Sequence, residues 1–154
     1  MDHAQRAQAL FLEGYNCAQA TFGAFCDVTG LEFETAIRLA SGLGGGMGRM
    51  REVCGACTAA FMVMGLLRGY DQADDVQGKA RLYEQVQLLA ADFRARHGTI
   101  LCRELLKDAD SAPTPSARTA QYYADRPCAR YVYSAAQLVD AFLEKTRRDA
   151  ADAI

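Results

Sequence analysis

Apolar residues recur every three or four positions along most of the chain, which is the spacing of side chains on one face of a helix. The only run that resembles a strand is Arg130–Tyr133 (RYVY). We therefore predict an all-α protein, a single compact bundle of six or seven helices in one domain over residues 1–154. The predicted helices cover residues 4–14, 17–26, 33–41, 54–69, 74–96, 100–107 and the segment from 134 onward.

Capping residues indicate where several of these helices begin. In the segment 16–19 (NCAQ), Asn precedes the helix and Gln follows three residues later, so each side chain can bond the other residue's backbone N–H. The segment 134–137 (SAAQ) has the same pattern and predicts the start of the last helix. Asp74 and Asp75 predict the start of the long helix, and Thr99 predicts that of the short one.

Residues 54–69 have almost no polar side chain, so we predict that they form the central helix of the bundle. Five glycines between residues 42 and 48 precede it and disfavour a helix, because each costs about 1 kcal/mol relative to alanine. The run has neither G-x-G-x-x-G spacing nor a following Lys-Ser or Lys-Thr pair, so it does not match a nucleotide-binding loop. We expect a bend that lets the backbone approach a helix or a cofactor closely.

Two segments are predicted to lie outside the bundle. Residues 108–119 contain two prolines among Asp, Ser and Thr, a composition typical of a surface loop. Residues 149–154 end a charged tail that we expect to fray.

Composition and charge exclude several classes of protein. The 154 residues are 51% hydrophobic and carry a formal net charge of −2, which favours a folded domain with no electrostatic footprint for nucleic acid. The most apolar window, residues 56–67, is too short to span a bilayer, so no membrane partner is expected. The polar N-terminus lacks the apolar stretch of a secretory signal, so we expect a cytoplasmic protein.

Six cysteines in a chain expected in a reducing compartment indicate metal, cluster or redox chemistry rather than structural disulfides. The alternative is that they are small buried apolar residues. The predicted helices place Cys17, Cys54, Cys57 and Cys102 in first turns, where unpaired N–H groups lower a thiol pKa and attract anions. Cys26 is predicted at a helix end instead. Several arginines near the cysteines in sequence could add positive potential: Arg49, Arg51, Arg103, Arg126 and Arg130.

Cys54 and Cys57 form a Cys-x-x-Cys pair, whose spacing places both sulfurs on one face of a helix. A thioredoxin-type site would follow a strand, and a zinc site usually needs a second close pair, so neither pattern matches. Iron–sulfur ligation by four cysteines that the fold brings together stays open, because its spacings vary more. The alternative is one reactive thiol beside one packed thiol.

At these residues the chain resembles the C_GCAxxG_C_C family of redox-active proteins, small bacterial and archaeal modules named for four spaced cysteines. The matching segments lie between about residue 8 and residue 143, and they are 16–20 (NCAQA), 44–48 (GGGMG), 54–56 (CGA), 102–105 (CREL) and Cys128. The resemblance identifies Cys17, Cys54, Cys102 and Cys128 as the four family cysteines and leaves the other two as extras. It implies a redox role without specifying a reaction.

The leading hypothesis is a small redox protein in which the four family cysteines converge and ligate an iron–sulfur cluster, for electron transfer with a redox partner protein. Gly45, Gly46 and Gly55 would then let backbone N–H groups approach the sulfurs. The second hypothesis is a metal-free thiol–disulfide protein or sensor, in which Cys54 attacks and Cys57 or another family cysteine resolves. The third is a zinc-stabilised interaction domain. A second subunit that covers the apolar helix would make the protein a homodimer.

Overall fold

The computed structural model describes residues 1–107 and 109–153, and over these residues the protein is all-α, as predicted. Asp108 in the predicted loop and Ile154 in the predicted tail lie outside the described residues. In the described ranges, the nine helices α1 to α9 are His3–Leu12, Cys17–Gly23, Cys26–Thr29, Phe33–Ala40, Gly55–Arg68, Val76–His97, Cys102–Leu106, Ala120–Asp125 and Cys128–Asp152. None of the described helices combines the length and the apolarity that a bilayer span requires.

Two predicted helix starts are confirmed by their hydrogen bonds. The Asn16 side chain accepts a bond from the Gln19 N–H at 2.9 Å, and the Gln19 side chain accepts one from the Asn16 N–H at 3.1 Å. The Asp75 carboxylate accepts a bond from the Gly78 N–H at 2.8 Å and caps the long helix α6. A further capping box at Asp2, which the sequence reasoning missed, begins α1.

The prediction for the last helix was wrong at its start. Helix α9 begins at Cys128 rather than at Ser134, so the strand-like run Arg130–Tyr133 is helical. Tyr131 and Val132 are both buried in the core. Burial of this face decides the conformation, because the β preference of aromatic and branched residues mainly reflects packing and yields to tertiary context.

Two other predicted boundaries also need correction. Helix α2 ends at Gly23, and Cys26 begins the short helix α3 instead of ending α2. Helix α7 begins at Cys102, and Thr99 does not cap it. The Thr99 hydroxyl instead accepts a bond from the Leu101 N–H at 3.1 Å, which satisfies the hydroxyl in the turn before the helix.

Helix α5 lies at the centre of the bundle, as its composition predicts, and packs against α2, α6 and α9. Helix α1 closes the other side by packing against α2 and α9. Small side chains at these contacts let the helices approach closely, and the alanines with at most 1% exposure include Ala18, Ala20, Ala56, Ala59, Ala60, Ala135 and Ala136. This packing brings the start of α5 against the start of α2, which is where two of the cysteines lie.

The glycine run between α4 and α5 forms a left-handed turn, so the predicted bend is present. Residues 45–49 all have φ between 60° and 71°. The Gly48 N–H donates to the Gly44 carbonyl and closes one turn of this left-handed segment. A residue with a Cβ pays about 1–2 kcal/mol for such a conformation, whereas glycine adopts it without the clash. The glycines therefore let the backbone reverse within a few residues just before the central helix.

Candidate functional site

The cysteines at positions 17, 54, 102 and 128 all line one cavity of about 420 Å³. Cys17, Cys102 and Cys128 are the first residues of α2, α7 and α9, and Cys54 immediately precedes α5. Four helix starts that are far apart in the sequence therefore meet around the same space. We call this space the cysteine cavity.

A short antiparallel pairing joins the segments that precede α5 and α7. The Cys54 N–H donates to the Ile100 carbonyl at 2.7 Å, and the Cys102 N–H donates to the Glu52 carbonyl at 2.7 Å. These bonds flank one isolated β-bridge between the two segments. These bonds connect the segments that carry Cys54 and Cys102, which holds the two thiols at the same end of the bundle.

Two glycines allow other parts of the chain to approach the thiols. A Cβ on Gly55 would lie 2.6 Å from the Cys17 Sγ and 2.9 Å from the Leu43 carbonyl oxygen. A Cβ on Gly46 would lie 2.6 Å from the Cys102 Cβ. Only glycine therefore lets α5 begin against Cys17, and only glycine lets the left-handed turn pass behind Cys102.

The three glycines predicted to lie near a cofactor all fall in this region. Gly45 and Gly55 line the cysteine cavity, and Gly46 is buried next to Cys102. Interaction with the Gly45 backbone favours the thiolate form of Cys17.

Burial and electrostatic repulsion between thiolates oppose the ionisation of Cys17 and of Cys128. Burial, followed by repulsion from Cys54, raises the pKa of Cys17 to about 12. Burial, followed by repulsion from Cys17 and Cys54, raises the pKa of Cys128 to about 12. Both groups are therefore protonated thiols at neutral pH.

The other two cavity thiols are affected in the same direction. Interaction with the Cys57 thiol, followed by burial, raises the pKa of Cys54 well above its ordinary value. Burial raises the pKa of Cys102, although a hydrogen bond from Arg51 acts against this change. The expectation that helix starts lower these pKa values was wrong, because loss of solvent around a thiolate outweighs the nearby N–H groups.

Positive side chains surround the thiols. The arginines that line the cysteine cavity are Arg49, Arg51, Arg118 and Arg126, and its described lining residues include no Asp or Glu. The sequence analysis indicated three of these four arginines, because Arg49, Arg51 and Arg126 lie near cysteines in the sequence. Arg118 was missed because it lies in the polar loop, where its sequence neighbours carry no signal of a site. Arg103, which was also considered, pairs instead with the exposed Glu52 carboxylate at 3.0 Å.

Arg51 is the most buried of these arginines, with 4% exposure. Its Nη1 donates to the Cys102 Sγ at 3.6 Å, and its Nε donates to the Asp110 carbonyl at 2.8 Å. Its Nη2 is buried and has no hydrogen-bond partner within the described part of the chain. The guanidinium therefore connects a cavity thiol to the polar loop.

Arg118 is held by aromatic rings. Its guanidinium lies over the rings of Phe11 and Tyr122, at 4.6 and 4.8 Å from their centroids, and its Nη2 donates to the Tyr15 carbonyl at 3.1 Å. Its Nη1 is buried and, among residues 1–107 and 109–153, has no hydrogen-bond partner. Stacking and the Tyr15 bond together fix the plane of the guanidinium.

Residues 109–119, which we call the cavity loop, form part of the cavity wall. Arg49 fastens this loop, since its Nε donates to the Ala112 carbonyl at 2.6 Å and its Nη1 donates to the Ser116 hydroxyl at 3.3 Å. Arg49 also pairs with the Asp110 carboxylate at 3.2 Å. The Ala112 N–H and Arg49 lower the pKa of that carboxyl group. The segment predicted as a surface loop therefore also lines the cavity that the four thiols share.

The remaining cysteines lie apart from the cavity lining. Cys57 is buried within α5, one turn beyond Cys54, and Cys26 is half-buried at the start of α3. Taken over the described ranges, no group of three or more His, Cys, Asp or Glu side chains is arranged to hold a single metal ion. The four cavity thiols share a wall without forming a ready single-ion site.

The comparisons with known proteins agree with the spacing of these residues. A family model described as "Putative redox-active protein (C_GCAxxG_C_C)" matches residues 15–142, which include all four cavity cysteines and the glycine run. No curated protein and no solved structure matches the chain.

Proposed function

The chain belongs to the C_GCAxxG_C_C family of redox-active proteins, and from that premise we propose that it transfers electrons through an iron–sulfur cluster ligated by Cys17, Cys54, Cys102 and Cys128. The observation that carries the proposal is that these four thiols line one cavity. An iron–sulfur cluster bound there would accept and release one electron at a time. A redox partner protein would supply that electron.

The donor set fits a cluster of several irons better than a single ion. Thiolates on one zinc lie about 2.3 Å from the metal, and therefore within about 4 Å of one another. The described side chains form no such compact group, whereas all four thiols border a space of about 420 Å³. Ligands to a cluster are spread over several metal atoms and suit this wider spacing.

The four thiols must lose their protons before they can act as ligands. Their raised pKa values mean that metal has to compete with protons, so uptake should become more favourable as the pH rises. Arg51, Arg118 and Arg126 offset the negative charge that several thiolates would concentrate in a buried space.

Two interactions would then tune the sulfurs. The Gly45 backbone favours the thiolate form of Cys17, and the Arg51 Nη1 donates to the Cys102 Sγ at 3.6 Å. Donors of this kind withdraw negative charge from sulfur and stabilise the reduced state of a bound centre. We expect Arg51 to raise the reduction potential for this reason.

The test is anaerobic incubation of the reduced protein with iron and sulfide, followed by desalting and analysis of bound iron, zinc and acid-labile sulfide. We expect iron and sulfide in equal amounts and visible absorbance from sulfur-to-iron charge transfer. Replacement of any one cavity cysteine by alanine should reduce the bound iron, while Cys26→Ala, outside the cavity, should not. A protein that retains no iron, or one whose iron content is unaffected in all four cavity variants, would contradict the proposal.

A second candidate is a metal-free dithiol protein that uses Cys54 and Cys57. The observation in its favour is that the two cysteines lie one turn apart at the start of α5, where the Cys57 N–H donates to the Cys54 carbonyl at 2.9 Å. Both side chains are nevertheless buried, and a thiol with a raised pKa is a slow nucleophile at neutral pH. Alkylation followed by mass spectrometry, before and after oxidation, would detect this pair as a disulfide; full labelling of both after oxidation would exclude it.

A further inference from the structure

One part of the cavity wall carries guanidinium groups that form no salt bridge within residues 1–107 and 109–153. Arg51, Arg118 and Arg126 all line it, and no carboxylate occurs among its described lining residues. The Nη2 of Arg51 and the Nη1 of Arg118 are buried, and neither has a hydrogen-bond partner in the described ranges. A buried hydrogen-bond donor without an acceptor is unfavourable, so a ligand that provides the acceptor binds more favourably.

Both guanidinium groups are already held in place by other contacts. Arg51 is held by the Asp110 carbonyl at 2.8 Å and by the Cys102 Sγ at 3.6 Å. Arg118 is held by ring stacking on Phe11 and by the Tyr15 carbonyl at 3.1 Å. Because these contacts fix the two side chains, little conformational entropy remains to be lost when a ligand binds.

We propose that the cysteine cavity binds a small oxyanion, with the guanidinium groups of Arg51 and Arg118 as its donors. Planar guanidinium groups match the paired oxygens of phosphate, sulfur oxyanions and carboxylates, which are the ligands that arginine recognises best. The cavity volume of about 420 Å³ lies within the range of small-molecule sites. The proposal goes beyond electron transfer, because it gives the protein a small-molecule ligand and does not depend on any cluster.

A ligand bound at this site would lie next to a cavity thiol and next to the cavity loop. Arg51 contacts Cys102 directly, so an oxyanion on Arg51 would lie beside a cavity thiol. Arg118 belongs to the cavity loop, so a ligand held by both arginines also connects the loop to the segment before α5. We therefore expect binding to reduce amide hydrogen exchange in the cavity loop.

The test is isothermal titration calorimetry of the reduced, metal-free protein, prepared with a chelator and kept at constant ionic strength with chloride. Inorganic phosphate and malonate are titrated separately, because they distinguish an inorganic oxyanion from a carboxylate ligand. We expect one saturable site for at least one of them, with a Kd of about 1 mM or tighter. The variant Arg118→Gln should have a Kd that is higher by at least about tenfold, because it loses a charged donor.

The matched control is Arg81→Gln, which removes one exposed arginine of α6 outside the cavity and should bind like the wild type. If circular dichroism finds Arg118→Gln unfolded, Arg118→Lys decides, since it retains the charge and loses the planar fork. No saturable binding of either anion, or equal affinity in the folded Arg118 variant and the wild type, would overturn the proposal. Because the protein is metal-free throughout, these outcomes are independent of whether a cluster can be loaded.

Discussion

Replacing Gly55 by alanine is expected to destabilise the protein, because α5 begins in contact with Cys17. The added Cβ would lie 2.6 Å from the Cys17 Sγ, 2.9 Å from the Leu43 carbonyl oxygen and 3.2 Å from the Ala18 Cβ. Non-bonded heavy atoms are most favourable at about 3.5–4.0 Å, so the methyl group would overlap the sulfur by about 1 Å. The carbonyl belongs to the backbone and cannot rotate away as a flexible side chain would.

The expected loss follows from two opposing terms. Overpacking of this kind costs about 1–3 kcal/mol. Replacing glycine by alanine in a helix contributes at most about 1 kcal/mol in the other direction. We therefore expect Gly55→Ala to lower the free energy of unfolding by about 1–2 kcal/mol, which corresponds to a fall in Tm of roughly 2–8 °C for a chain of this size.

Gly65 in the same helix provides the matched control. A Cβ there meets no atom within 4 Å, so Gly65→Ala should stabilise the protein by up to about 1 kcal/mol. Urea unfolding of the reduced, metal-free variants measures both effects under the same conditions. If Gly55→Ala were as stable as Gly65→Ala, the close approach of α5 to Cys17 would not be the reason for glycine at position 55.

Three further predictions concern the cavity. Raising the pH from 9 toward 12 should destabilise the metal-free protein, because the folded state retains protons on Cys17 and Cys128 that the unfolded chain releases in this window. In thermal melts, the Tm of the double variant Cys17→Ala/Cys128→Ala should fall less steeply with pH than the Tm of the wild type. An equal slope in both proteins would contradict the role of these two thiols. Asn16→Ala and Asp2→Ala should each cost about 1 kcal/mol in urea unfolding, because each removes a capping box. Only the Asn16 variant should also bind less iron, since only that box precedes a cavity cysteine. Arg49→Gln should accelerate limited proteolysis of the cavity loop, because three contacts to the loop are lost. An unchanged cleavage rate would show that Arg49 does not hold the loop in place.

Local patterns predicted well where the responsible interactions are also local. The capping box of Asn16 and Gln19 joins residues three apart, and the structure forms both of its hydrogen bonds. The apolar composition of α5 likewise predicted a central helix, since a helix without a polar face must be buried. The glycine run predicted a bend because the ability of glycine to adopt positive φ without a clash is a property of the residue itself.

Predictions failed where distant contacts decide the outcome. The last helix was predicted to begin at Ser134, but it begins at Cys128, and burial of Tyr131 and Val132 in the core accompanies this longer helix. The Cys17 thiol lies at a helix start that should favour its ionisation, but burial and repulsion from Cys54 raise its pKa to about 12. In both cases the decisive neighbours come from other elements and are not visible in a local window.

The sequence by itself determined an all-α chain, its central helix and a set of cysteines near helix starts, because helical period and capping depend on residues a few positions apart. Only the tertiary structure decided that Cys17, Cys54, Cys102 and Cys128 share one cavity and that Arg118 joins them from the cavity loop. Solvent exclusion and the repulsion between thiolates depend on distances between segments that are remote in the sequence. For that reason the chemical state of the cysteines follows from the packing of the helices rather than from their local motifs.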